Sequence, residues 1–368
     1  MKEYLDYLKN FPSLVFPKIP SHITFFITGR CNLRCKMCFY WQNIDNADIR
    51  KELTIEEIKK ISKNFNRVIW LSITGGEPFL RNDVYEIVEC FYKNNNVKNV
   101  SIYTNGFFPQ RVIETVKRIM DNLKDCFLTI NISIDGPKEL HDEIRGIKGS
   151  FERCIITLKL LEELRKEYKK LCIGIIYTMN SLNEDYVEET FNTLKSKVYF
   201  DSFYVNFTRG NPRDPSTKNF SILKYLNAHK FLKKMIECGV INQNGYPFSS
   251  FKFVASNILT PKYLVKIVSG NKVPFKTKAG KLSVVIGEYG DVWASESISE
   301  SLGNLRDFDY NIKLLLRSRK AINIIKKIDN NSIAHECNIV PDILSNISTY
   351  PILFKELFSL YLLKLIKK

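Results

Sequence analysis

The chain has 368 residues, 45% hydrophobic and 26% charged, with a formal net charge of +16. That length can bury a large core in one domain or two. No run reaches the roughly 18 apolar residues of a membrane span. The lysines sit mostly beside glutamates on helical stretches such as Glu56 to Lys60 and Glu162 to Glu167, which reads as a solvated basic surface. No nucleic-acid-binding motif accompanies the charge, so no nucleic acid partner is expected. The nine cysteines form no framework pattern, and no signal peptide is visible, so a reducing cytoplasmic location is expected.

In chain order, Tyr4 to Leu8 reads as a short apolar helix before the first strand, Ile23 to Thr28. Immediately after it come Cys31, Cys35 and Cys38. Three thiolates on one short loop can hold three irons of a cubane cluster and leave the fourth open for chemistry; zinc is the competing reading. Further strands are expected at 68–74, 100–104, 128–135, 171–177 and 203–207. Helices are expected near 54–65, 81–94, 109–124, 150–169 and 183–197, the first opened by Thr54 with Glu57 three residues on. This alternation predicts an α/β fold with a parallel sheet, open or curled into a barrel. Functional residues then gather at the carboxyl ends of the strands. The second strand ends in Gly75, Gly76, Glu77 and Pro78, where two glycines let backbone approach a ligand and a carboxylate suits an amino group.

These motifs together resemble the radical S-adenosylmethionine (radical SAM) enzymes, SPASM/twitch-type subgroup. The resemblance rests on the cysteine spacing, on Gly75 to Pro78, on Tyr103 to Gly106, on Ser133 to Pro137, and on His141 to Gly146 with Gly149 to Phe151. It implies a partial (β/α)6 TIM-like barrel with a smaller C-terminal extension. It also implies one [4Fe–4S] cluster on Cys31, Cys35 and Cys38, and S-adenosyl-L-methionine on its open iron. Reductive cleavage would then give a 5′-deoxyadenosyl radical that abstracts hydrogen from substrate. By the same resemblance Gly75, Gly76 and Glu77 hold the methionine amino end, and Thr104, Asn105, Ser133 and Asp135 are ribose contacts. Arg145 is expected to pair with the methionine carboxylate, and Met37 to pack on adenine. A flavodoxin or ferredoxin is the expected electron donor.

Residues 278–286 and 290–296 resemble the SPASM/twitch hairpin. Where relatives place auxiliary-cluster cysteines, this chain has Thr277, Ser295, Asn331 and Ile333, with only Cys337 kept. The extension is therefore expected to keep its shape and lose its cluster, with His335 and Cys337 as a residual metal site the lesser alternative. Arg209 and Arg213, after the sixth strand, are expected at the barrel mouth as substrate contacts. The expected layout is an N-terminal helical segment (1–20), a radical SAM core (21–240), a degenerate SPASM/twitch-like domain (241–345) and a C-terminal amphipathic helix (346–368). That helix is expected to dock on the protein itself, with an anionic membrane surface as the sharper alternative.

No peptide-recognition segment is visible ahead of the first strand, which favours a small-molecule, glycan- or lipid-linked substrate over a peptide. The rival readings are a peptide maturase and a non-catalytic protein that keeps the cluster and S-adenosylmethionine.

Overall fold

The computed structural model describes residues 11–241 and 249–366; the expected Tyr4 to Leu8 helix lies outside them. Six parallel strands form the body: β1 (His22–Phe26), β2 (Trp70–Thr74), β3 (Asn99–Thr104), β4 (Phe127–Ser133), β5 (Leu171–Met179) and β6 (Ser202–Phe207). Each pairs with the next in chain order. The helices Ile55–Asn64, Val84–Asn95, Pro109–Asn122, Ser150–Glu167 and Val187–Lys197 lie between successive strands. Thr54 and Glu57 close the expected capping box on the first of them.

The strands alternate in a way that makes the barrel hollow. On β3, Val100 and Ile102 enter the hydrophobic core while Ser101 and Tyr103 line a central cavity of about 420 Å³. β4 repeats the pattern, with Leu128, Ile130 and Ile132 in the core and Thr129, Asn131 and Ser133 on the cavity. Period-two alternation thus builds two surfaces from one strand, one dry against the helices and one polar toward the barrel axis.

The extension does not make a separate sheet. β7 (Ser283–Ile286) pairs parallel with β1, and β8 (Asp291–Trp293) and β9 (Gly303–Asn304) follow antiparallel. The sheet order is therefore β6-β5-β4-β3-β2-β1-β7-β8-β9, so β6 and β1 do not meet. The helical segments Ser249–Val254 and Ala255–Leu259, with the Glu336–Ser345 helix, cover that gap and put Phe253, Ser256, Val340 and Leu344 on the same cavity. Glu336 fastens this cover, accepting hydrogen bonds from Phe207 N–H at 3.2 Å and Tyr225 Oη at 3.0 Å. The sequence reading contained no helix between 215 and 270, where Ile222–Glu237 and Thr260–Val268 also form.

The final helix, Tyr350–Ile366, docks as expected through buried Leu353 and half-buried Ile352, Leu357 and Leu360. It is not simply amphipathic, because Phe354, Phe358, Tyr361 and Leu362 are exposed on its other side. No helix among the described residues is long and apolar enough to cross a membrane.

All four histidines sit in surroundings that oppose their charge. Burial lowers His22 to about 3 and His229 to about 4, and pushes His141 and His335 well below the usual 6.5. Folding stability from these groups is complete above pH 6.5 and is lost as the pH falls below it. Buried Glu77, Glu336 and Asp342 are raised to about 7, so their contribution is complete in acid and is lost as the pH rises toward 7. The two slopes oppose each other between roughly pH 4.5 and 6.5; in stronger acid the histidine loss continues and is joined by that of Glu57, whose carboxyl the Arg306 guanidinium holds at about 2. The thermal midpoint of the metal-free chain is expected to be nearly flat across that interval and to fall steeply below it. A midpoint that rises steadily on acidification would contradict this.

Candidate active site

The three cysteines occupy the loop leaving the carboxyl end of β1, and all three line the cavity. Cys38 N–H donates to Cys35 O at 3.2 Å, and Leu33 N–H reaches Cys31 Sγ at 3.4 Å, so the loop curls around its own sulfurs. Burial and the neighbouring sulfurs push Cys31 and Cys38 up to about 12, and burial raises Cys35 as well. Three close thiols that stay protonated without a metal are suited to exchange protons for a multivalent cation.

Around them the structure distributes the expected cofactor residues unevenly. Met37, Gly75, Gly76, Thr104, Asn105, Ser133 and Arg145 all reach the cavity. Asn105 Nδ2 lies 4.0 Å from Cys31 Sγ and donates to Asn32 Oδ1 at 2.9 Å.

Three of the expected residues have partners within the protein. Glu77 is fully buried, with Oε1 accepting from Thr104 Oγ1 at 2.7 Å and Phe79 N–H at 3.1 Å, and Oε2 from Asn105 N–H at 2.7 Å. This carboxylate pins the end of β3 to the end of β2. Asp135 is also fully buried; it pairs with Arg145 at 2.5 Å and accepts from Thr178 N–H at 2.7 Å, which removes it from a ribose-facing position. Arg145, held by Asp135, points Nη1 at Cys35 Sγ, 3.7 Å away, so its charge faces a cysteine instead of lying free for a distant carboxylate. Removing the Glu77 carboxylate strands two backbone donors and a hydroxyl, each costing about 1–3 kcal/mol when unmet. Glu77→Ala is therefore expected to cost about 3 kcal/mol or more in urea unfolding.

The glycines also act differently from the expectation. A Cβ on Gly76 would lie 2.1 Å from Arg30 O, and one on Gly75 (φ +147°) 2.4 Å from Thr28 O. Gly76 N–H already donates to Thr28 O at 2.8 Å. The pair lets β2 pass against the cysteine loop itself.

Arg209 and Arg213 both reach the cavity, but neither is a loose surface arginine. Arg209 stacks 4.2 Å from the Phe39 ring, pairs with Glu296 and lies 2.6 Å from His335 Nε2. Arg213 pairs with Asp45 at 2.8 Å, and its N–H donates to Cys38 O at 3.0 Å, tying the loop after β6 to the cysteine loop. Glu296, His335 and Cys337 gather their ligand atoms within 4.8 Å. The Arg209 guanidinium engages two of them, Glu296 and His335, and Cys337 N–H lies 3.2 Å from His335 Nδ1. An arginine that already neutralises Glu296 and lies against the imidazole opposes a second metal there.

Sequence reading missed Tyr40, Asn43 and Glu288. The Glu288 carboxylate, on the turn after β7, accepts from Tyr40 Oη and from Asn43 Nδ2 (3.2 Å), and Glu288 O accepts Leu53 N–H at 2.7 Å. The C-terminal hairpin thus braces the chain just beyond the third cysteine. A lone glutamate after a strand carries no local signal for that role.

Residues 25–194 match the Radical SAM superfamily profile. Curated relatives include molybdenum cofactor biosynthesis protein 1 of Drosophila melanogaster, 26% identical over 336 residues, 87% of this chain and 50% of that protein. Another is the antilisterial bacteriocin subtilosin biosynthesis protein AlbA of Bacillus subtilis (strain 168), 34% identical over 152 residues, 40% of this chain and 32% of that one. The chain thus spans about half or less of these relatives' own length. Among solved structures, native anSMEcpe with bound AdoMet superposes with a TM-score of 0.58 at 19% identity, covering 95% of this chain and 99% of that one. SuiB of Streptococcus suis bound to S-adenosylmethionine gives 0.59 at 15% identity, over 88% and 72%. At such identity the structural likeness is one of fold. The matched segment runs from the first strand, through the cysteine loop, to the helix after the fifth, so residues 25–194 form a domain of the Radical SAM superfamily, whose enzymes use a [4Fe–4S] cluster and S-adenosylmethionine.

Proposed function

We propose that the chain is a single-cluster radical SAM enzyme that acts on a hydrogen-bonding substrate held inside the barrel. The observation that carries the reading is one cavity shared by all three loop cysteines and the polar inner faces of the strands. When bound, a [4Fe–4S] cluster supplies the electron that cleaves S-adenosylmethionine to methionine and a 5′-deoxyadenosyl radical, the species that takes hydrogen from substrate.

The chain's own residues do the holding. Cys31, Cys35 and Cys38 are the proposed cluster ligands, and Arg145, oriented by Asp135, places positive charge against Cys35, which favours its thiolate. Glu77 keeps Thr104 and Asn105 at the cavity edge, where these two and Ser133 can meet the polar parts of S-adenosylmethionine. Buried Met37 offers its thioether to the adenine. Gly75 and Gly76 contribute by bringing β2 onto the cysteine loop. Exposed Arg34 and half-buried Lys36, on either side of Cys35, suit an acidic one-electron donor of the flavodoxin or ferredoxin type.

Ser101, Tyr103, Thr129, Asn131, Tyr204 and Asn206 give the cavity hydroxyl and amide groups from three strands. These groups can hydrogen-bond a polyhydroxylated small molecule or a carrier-linked glycan, while Phe253, Val284, Val340 and Leu344 add an apolar wall to the same cavity. A peptide substrate is the second reading. It is favoured by the relative that serves bacteriocin biosynthesis and by the SuiB structure bound to precursor peptide SuiA. The layout proposed is a core over 21–240 and a cluster-free SPASM/twitch-like extension over 241–345, in which Ser295 bonds Asn338 at 2.8 Å where relatives would place a thiolate.

Anaerobically reconstituted protein with a strong reductant is expected to convert S-adenosylmethionine to 5′-deoxyadenosine and methionine, slowly even without substrate. A complete cluster that gives no cleavage with any reductant would make the non-catalytic reading the right one.

A further inference from the structure

The Tyr350–Ile366 helix has two apolar faces; the fold uses one along its length and touches the other at its start, where the Phe354 ring meets those of Phe251 and Tyr350. Leu353 is fully buried, with Ile352, Leu357 and Leu360 packed beside it. Phe354, Phe358, Tyr361 and Leu362 follow the i, i+4, i+7, i+8 spacing of a single stripe, and they are 57%, 62%, 60% and 41% exposed. A helix stabilised only by its own docking needs one apolar stripe; four large exposed side chains in register are a surface with a second use.

The charges around the stripe select its partner. Lys355 and Ser359 flank it on the exposed side, and the one carboxylate of this helix, Glu356, turns away toward Lys233, 4.0 Å distant on the neighbouring Ile222–Glu237 helix. On that neighbour, Lys230 and Lys234 are exposed within a turn of the contact. The sequence adds Lys364, Lys367 and Lys368. Aromatic and leucine side chains bordered by lysines match the boundary between acyl chains and anionic headgroups. A second copy of this chain would instead set the same lysines against one another. We propose that this face lies on an anionic lipid bilayer, with Phe354, Phe358, Tyr361 and Leu362 inserted at the acyl boundary.

The reading does not depend on the radical chemistry, and its test is independent of S-adenosylmethionine cleavage. Reconstituted full-length protein is mixed with vesicles of phosphatidylcholine alone, or of phosphatidylcholine with about one-third phosphatidylglycerol, and floated on a density gradient. The wild type is expected to float with the anionic vesicles only, and to be released when salt shortens the Debye length to about 3 Å. The triple variant Phe358→Ser, Tyr361→Ser, Leu362→Ser changes exposed positions and leaves the packing of Phe354 on Phe251 in place, so it is expected to melt like the wild type and to stay at the bottom of the gradient. Lys355→Glu alone is expected to weaken flotation. The proposal is overturned if the wild type ignores anionic vesicles or the triple variant floats as well as it does. It is equally overturned if the stripe forms a concentration-dependent dimer, lost in the triple variant, while vesicles are not bound.

Discussion

Wild-type protein reconstituted with iron and sulfide is expected to hold about four of each per chain, and the Cys31→Ala, Cys35→Ala, Cys38→Ala variant essentially none. The argument is a census of thiols in space. Cys90, Cys126, Cys154 and Cys172 are buried at separate places in the barrel wall, Cys154 donating to Asn105 O at 3.1 Å. Cys238 and Cys337 are exposed; Cys337 and the buried Cys172 both line the cavity, and of the two only Cys337 stands in a cluster of possible ligands among the described residues. One thiol cannot hold a second cubane, and Arg209 engages its two neighbours, Glu296 and His335. Cys337→Ala should therefore leave the iron content and the visible absorption unchanged. Close to eight irons per wild-type chain, or loss of iron in Cys337→Ala, would show that the extension still carries a metal centre.

Gly76→Ala is expected to lose iron together with S-adenosylmethionine cleavage. The added methyl would stand 2.1 Å from Arg30 O and 2.9 Å from Gly29 O, backbone atoms of the loop that carries Cys31. Overpacking of this kind costs about 1–3 kcal/mol, roughly ten- to a hundredfold in the population of a correctly seated loop. The barrel core is remote from the clash, so the far-ultraviolet dichroism of the metal-free variant should match the wild type. Iron analysis beside the cleavage rate separates two causes. Normal iron with no cleavage would mean that the glycine serves the ligand's space, as its place in the motif suggests, and that β2 can yield to the loop.

Much of this protein is local. The strands at 68–74, 100–104, 128–135, 171–177 and 203–207 form within a few residues of where β-branched and aromatic runs place them, because a buried parallel strand needs those residues in an unbroken stretch. The cysteine loop follows the first strand for the same reason: spacing along one loop is a property of sequence, and three thiols so close in the chain must be close in space. Pairings across the chain were not legible. Glu77 finds Thr104 and Asn105, Asp135 finds Arg145, and Arg209 finds Glu296 and His335, 87 and 126 positions further along the chain. Each is a buried charge or carboxylate that must have a partner, and only the folded barrel decides which one is within reach. The same holds for the final helix. Its composition says that it is apolar, but which face is consumed depends on what the barrel, and the helices covering its open side, leave for it to touch.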